Sequence, residues 1–298
     1  MSAVVLLLAM TRPAHTCDEL GGAARAAERG AAAPGVAALS SGVAALSPVG
    51  APLSSPAKLR PAPPPVAQGE RARYRIDYGV VSIGELELAV GAAAPGATIV
   101  RAGGHGSGGV LGLGHMDERL STELDLTRLD SRRWASTRTD GDGAVNDRAE
   151  QATAGHVSLV REHPGGAGAH EAMQATFAAP ILDPLGFLLR LRLAPPIGAG
   201  PRGPATYYVL DGQALWRVTI RSASRAPASE GIAPVATLRF EAEAEPIRYD
   251  GGSDSSSDRK HRAFTLWLSD DAARVPLRLQ MSIGIADLVV ALTEVARR

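Results

Sequence analysis

The run Gly104-His105-Gly106-Ser107-Gly108-Gly109 satisfies the G-x-G-x-x-G spacing with which a backbone wraps a dinucleotide pyrophosphate. It follows a strand-like stretch, Thr98 to Arg101, but the residues after it (VLGLGHMDERL) carry two more glycines and open no convincing helix. Phosphate binding by that motif depends on a helix N-terminus, so a glycine-rich strand or loop is the better account. Ser107 has His105 and Gly109 two residues to either side, which is not the G-x-S-x-G turn that exposes a hydrolase nucleophile. His115-Met116-Asp117-Glu118 places three metal-ligand types together, with His105 ten residues before. Adjacent residues on a strand point to opposite faces, and no H-E-x-x-H pairing is present. Asp140-x-Asp142-Gly143 resembles the opening of a calcium loop, yet Ala144 stands where an oxygen ligand is needed and the glycine comes two positions early. A β-turn between two strands explains it better. Arginine outnumbers lysine 29 to 2, but the arginines alternate with acids and form no run longer than two, which reads as a solvated sheet face. Glu241-Ala242-Glu243-Ala244-Glu245 is likewise one polar strand face, with nothing to separate the pKa values of its acids. No catalytic residue, metal site or cofactor follows from these residues.

The composition narrows the field further. The 31 basic and 31 acidic residues cancel, which removes the electrostatic basis for a dedicated nucleic-acid binder. No stretch of ~18 apolar residues is present to make a membrane-spanning helix. One cysteine excludes an intramolecular disulfide framework. All twelve aromatic residues lie between Tyr74 and Trp267, and residues 30 to 57 carry no charge. An Ala/Gly/Pro/Ser-rich stretch without large side chains cannot bury enough surface to offset backbone entropy. Residues 1–67 are therefore expected to form a signal-like segment and a disordered linker, closed by the stiff run Pro61-Ala62-Pro63-Pro64-Pro65. Residues 68–298 are expected to form one β-rich domain.

Ala3 to Met10 (AVVLLLAM) has the size of a signal-peptide core, although no Lys or Arg precedes it. Cys17 follows Ala14-His15-Thr16, whereas a lipoprotein box has leucine three positions before the cysteine and a small residue immediately before it. Cys17 is a candidate lipidation site set against an unpaired thiol in the arm. The expectation is export to the periplasm or cell envelope.

From Arg71 the apolar period becomes two. Tyr74, Ile76 and Tyr78 alternate with Arg73, Arg75 and Asp77, and Ile83 to Val90 alternates again, giving an opening hairpin. Ala97 to Ala102, Leu120 to Leu126, Arg133 to Thr139 and Val235 to Ala244 are further strands. Thr206 to Leu210, Asp211-Gly212 and Ala214 to Ile220 make a second hairpin on a tight Asp-Gly turn. Three strands close the chain, with Phe264, Leu266 and Leu268 on one face of the first. Val275 to Ile283 and Ala286 to Leu292 are the other two. One helix is predicted, with Asp183 as N-cap, Pro184 at the first helical position and Pro195-Pro196 as stop; it either plugs one opening of the sheet or is an ordinary core helix.

The segment Leu266-Trp267-Leu268-Ser269-Asp270-Asp271-Ala272-Ala273-Arg274-Val275-Pro276-Leu277-Arg278 resembles the signature of a bacterial exported family, the domain of unknown function 3108. In that family a W-L-S-x-D strand end precedes a P-x-R strand. Tyr74 to Leu88 resembles the family's opening hairpin, and Leu210 to Val218 its charged-turn hairpin. Asp183 to Arg192 resembles its D-P-L-S-x-x-x-x-L-R helix, with Gly186 where serine is common. The resemblance covers about residues 68 to 296 and implies a β-rich fold and a cell-envelope location, with no activity and hence no catalytic residue to carry over.

The fold expected is mainly β: a single antiparallel, curved sheet or partly open β-barrel with one short helix. A concave apolar face of that kind holds ligands. The leading functional expectation is a non-enzymatic envelope protein that binds an apolar molecule, a lipid or acyl chain, with Trp134, Trp216 and Trp267 on the binding face. Core packing is the competing account of each tryptophan. A structural or protein-interaction module with a filled core is the alternative, its partner another envelope protein. A hydrolase of unknown substrate comes third, because no nucleophile, base and orienting group can be assembled.

Overall fold

The computed structural model describes residues 68–92, 95–107, 115–140, 143–164, 170–197, 204–212, 214–227, 235–247 and 261–297. The N-terminal arm, with Cys17 and the apolar run, lies outside them, as does the loop of residues 250–260. Strands β1 (Arg71–Tyr78) and β2 (Val81–Ala92) form the opening hairpin. In β1 the alternation sorts the faces, with Ala72, Tyr74 and Ile76 buried while Arg71, Arg73 and Arg75 stay exposed. The meander continues through β3 (Ala97–Ser107), β4 (His115–Asp125) and β5 (Asp130–Asp140), then β6 (Gly143–Thr153), β7 (His156–Glu162) and β8 (His170–Thr176). A two-residue strand, β9 (Ile181–Leu182), leads into the helix α1 (Pro184–Leu193). The chain then runs through β10 (Ala205–Asp211), β11 (Ala214–Ala226), β12 (Thr237–Ile247), β13 (Arg262–Ser269), β14 (Pro276–Ile283) and β15 (Ala286–Ala296).

All the described strands belong to one open sheet, ordered β8-β7-β6-β5-β4-β3-β2-β1-β15-β14-β13-β12-β11-β10-β9. Every pairing is antiparallel except β9 with β10. The first strand pairs with the last at the centre, Ile76 opposite Val290. The two edges, β8 and β9, are joined by only the residues between Thr176 and Ile181, a link that spans at most about 17 Å. The sheet therefore rolls until its edges meet.

It rolls past closure. Trp216 and Val218 of β11 face the main core with α1, while Leu215, one residue away, faces outward with Leu210. That outer pair packs in a second cluster with Trp134, Ala149, Leu159 and Met173, from the inner face of β5 to β8. The N-terminal end of the sheet thus laps over the outside of β10 and β11 like the free margin of a scroll.

The glycine-rich run is strand as far as Ser107, with Gly106 between Gly84 of β2 and Met116 of β4. A Cβ at Gly84 would lie 2.5 Å from the carbonyl oxygen of His105, so close strand packing is what glycine serves there. Strand β6 (GAVNDRAEQAT) is the one the Asp140–Gly143 turn leads into, whereas β7 (HVSLVRE) and β8 (HEAMQAT) are not predicted from the sequence.

Candidate functional site

The concave face is occupied. Leu185, Phe187, Leu189, Leu191 and Leu193 of α1 are all buried, while Leu188 and Arg190 are half-buried, so the helix is covered around most of its circumference. It packs against β3, β4 and β5 on one side and β9 and β10 on the other. Phe187 meets Tyr207 edge-on at 5.4 Å between ring centroids.

Both ends of α1 are fastened. Asp183 is the N-cap, accepting from the backbone N–H of Leu185 and Gly186. Its carboxylate also accepts from Thr122 of β4 at 2.5 Å and from Ser131 of β5 at 2.6 Å. Burial raises the Asp183 pKa, with the Ser131 and Thr122 hydroxyls and the two amides pulling it back. A Cβ at Gly186 would collide with Ser131 Oγ. The hydroxyl of Ser131 thus fills the space a side chain at position 186 would take, which accounts for glycine at a position where the resemblance has serine.

At the other end Arg190 donates to the carbonyls of Arg128 and Leu129 in the β4–β5 turn. Arg192 donates to the carbonyl of Ala273 and pairs with buried Glu70 at 2.8 Å. Arg274, at φ 45°, donates back to the carbonyls of Arg192 and Leu193. The Ser269-Asp270-Asp271 turn that holds Arg274 is itself tied by Asp271, which accepts from the Ser269 hydroxyl and from the amides of Ala273 and Arg274. The W-L-S-x-D signature is a clasp for the C-terminal end of α1.

A second buried polar cluster lies where the sheet overlaps itself. Glu118 of β4 stands opposite Arg138, and Asp147 of β6 pairs bidentately with Arg161 of β7 at 2.7 and 2.9 Å. The β10–β11 turn is pressed onto that pair, since a Cβ at Gly212 would lie 2.6 Å from the Arg161 guanidinium. Asp211 comes with it. Glu118 is 2 % exposed, and its Oε2 has no hydrogen-bond partner. Burial, then the charge of Asp211, push its pKa well above the ordinary carboxylate range, against the pull of Arg138.

The three tryptophans do not share a face. Trp216 is in the main core and Trp134 in the overlap cluster. Trp267 alternates with Leu266 and Leu268 and faces away from the main core, yet it too is buried, with the guanidiniums of Arg239 and Arg278 each 5.9 Å from its ring. Among the described residues no group of His, Cys, Asp and Glu is arranged to hold a metal ion, and no helix is long and apolar enough to cross a membrane.

Outside the sheet, β2 to β7 carry a furrow that the sequence reading passed over. Two adjoining hollows of about 490 and 560 Å³ share Arg101, Ser121 and Ala135. Their floor is one cross-strand row in which the small residues Ala89, Ser121 and Ala135 are interspersed with Arg101, Arg148 and Val160, in register from β2 to β7. Individually these residues look like any solvated strand face, and the signal is the coincidence of small residues in one row, which needs the register.

A family model described as Protein of unknown function (DUF3108) matches residues 73–293. Comparison with curated proteins finds no match. Among solved structures the chain is similar to a β-barrel-like protein of domain of unknown function DUF1849 from Brucella abortus, at 11% identity and a TM-score of 0.50, over 78% of this chain and 99% of that one. That likeness is one of fold. It is also similar to a lipoprotein candidate from Parabacteroides distasonis, at 6% identity and a TM-score of 0.32, over 78% of this chain and 97% of that one.

Proposed function

The chain belongs to the DUF3108 family of proteins of unknown function, and from that premise we propose that it is a non-enzymatic cell-envelope protein whose rolled sheet is a filled scaffold that binds a partner on its outside. The observation that carries this reading is α1, which occupies the concave face and is fastened to the sheet at both ends. Two hydroxyls beside a carboxylate, Thr122 and Ser131 next to Asp183, resemble hydrolase parts, but they are buried and engaged as helix anchors. Envelope location is supported by the apolar run Ala3 to Met10 and by the resemblance at the C-terminal signature. In this reading Trp134 and Trp216 are core residues, and Trp267 is buried on the outer face of the sheet beneath Arg239 and Arg278.

A second reading is carriage of a lipid or acyl chain on the inner face. The leucines and Phe187 of α1 favour it, because that apolar side of the helix fills the site much as an acyl chain would. It requires α1 to leave, and with it the bonds of Asp183, Arg190 and Arg192. Mass spectrometry of the protein purified from its own envelope fraction, intact and after organic extraction, separates the two. The scaffold reading expects no stoichiometric lipid. A stoichiometric lipid overturns it in favour of carriage. The same spectrum tests export, which expects a cleaved N-terminus or a diacylglyceryl mass at Cys17 and is overturned by an intact Met1.

A further inference from the structure

The outer furrow is basic in a way that composition conceals. Its acids are already engaged by arginines from outside the floor: Glu87 by Arg71 and Arg73, Glu123 by Arg132, and Glu150 by Arg133 at 3.2 Å. Arg101, Arg119 and Arg148 make no ion pair with any described residue, and all three are exposed. Arg101 and Arg148 stand in the same cross-strand row three strand spacings apart, about 14 Å, and Arg119 sits on β4 two residues from Ser121 of that row. The outer face of the C-terminal half is different. There Arg217 pairs with Glu245, Arg221 with Glu243, Arg239 with Glu241 and Arg225 with Asp270.

We propose that the furrow across β2 to β7 binds an extended acidic polysaccharide, whose carboxylate or phosphate groups are taken by Arg101, Arg119 and Arg148. The proposal rests on the scaffold reading and names its outer ligand. Guanidiniums bind such oxyanions bidentately, and the small, hydroxyl-bearing floor at Ser121, Ala135 and Thr137 lets a chain lie against the strands. A peptide fits less well, because these strands are paired on both sides and offer no free edge for strand addition. Single-stranded nucleic acid lacks its stacking platform, since Trp134, the aromatic residue along the furrow, is buried in the overlap cluster on the opposite face.

The test is thermophoretic titration of the full chain, at low salt, with an oligogalacturonate, a neutral malto-oligosaccharide and an oligoglutamate of matched length. Binding of the oligogalacturonate alone, weakened by added salt and by about tenfold or more in R101S/R148S, is the expected result. The control R217S/R221S removes two arginines that already have partners and should leave binding unchanged. Absence of oligogalacturonate binding overturns the proposal, as does an equal loss in the control. Equal binding of the neutral oligomer also overturns it, and equal binding of oligoglutamate overturns the choice of a polysaccharide. Circular dichroism of both variants confirms that these exposed substitutions leave the sheet intact. A co-purified lipid would instead overturn the scaffold reading, and this titration would not register it.

Discussion

The helix anchor and the overlap seam each bury a carboxylate, and they treat it in opposite ways. Asp183 receives two hydroxyls and two amide N–H groups, every one of them from an element it holds in place. Glu118 lies near Asp211 and Asp147, and one of its oxygens has no hydrogen-bond partner. A buried anion with a full set of donors specifies a structure, whereas one among other carboxylates is a standing cost unless it takes up a proton. The first cluster fixes where α1 lies. The second makes the overlap of the sheet sensitive to pH.

Removing the satisfied carboxylate should have the largest effect. Asp183→Ala takes away a helix cap and strands two buried hydroxyls, an expected loss of about 3 kcal/mol in urea denaturation. Asp183→Asn keeps an acceptor and should lose about 1 kcal/mol. If Asn and Ala cost the same, the donor set around Asp183 is not what holds α1.

A smaller effect tests the same anchor from the other side. Gly186→Ser should destabilise by about 2 kcal/mol, because the new Cβ meets Ser131 Oγ. Adding Ser131→Gly should recover about half of that, the hydroxyl now coming from the helix. Purely additive costs would show that the two positions do not share one space.

The seam should respond least, and with the opposite sign. Glu118→Gln relieves the buried charge and should raise stability by about 1 kcal/mol at neutral pH. Because the folded-state pKa of Glu118 is raised, its stabilising contribution is fully present below the unfolded value and lost as pH rises through the folded one. The variant's advantage should therefore shrink as pH falls toward 4.5. Thermal melts from pH 4 to 8 would show it, and a constant gap would mean that the Glu118 carboxyl has the same pKa in the folded and unfolded chains.

Much of this was legible in the sequence where a local rule decides. Asp183-Pro184 announced the helix start because capping chemistry is local, and the C-terminal strands were plain because Phe264, Leu266 and Leu268 alternate cleanly. Strand β6 is announced only by the turn before it, because Asp147 and Gln151 on its inner face stand where apolar residues would mark the period. The furrow was illegible for a different reason. Its row takes about one residue from each strand, and whether an arginine has a partner depends on a register no single strand encodes. Trp267 shows the same limit, since its neighbours in the chain are buried on the opposite face.

The pairing of β1 with β15 has a consequence for the order in which the molecule can form. The middle of the sheet joins strands more than two hundred residues apart in the chain, so it is the last pairing a growing or translocating chain can make. Contacts of such separation fold slowly. Until β15 arrives, β1 and β14 present unpaired edges of the kind that invite association between chains. A chain cut short before Ala286 would lose only one strand yet leave the sheet in two halves, and aggregation rather than partial function is the outcome to expect of it.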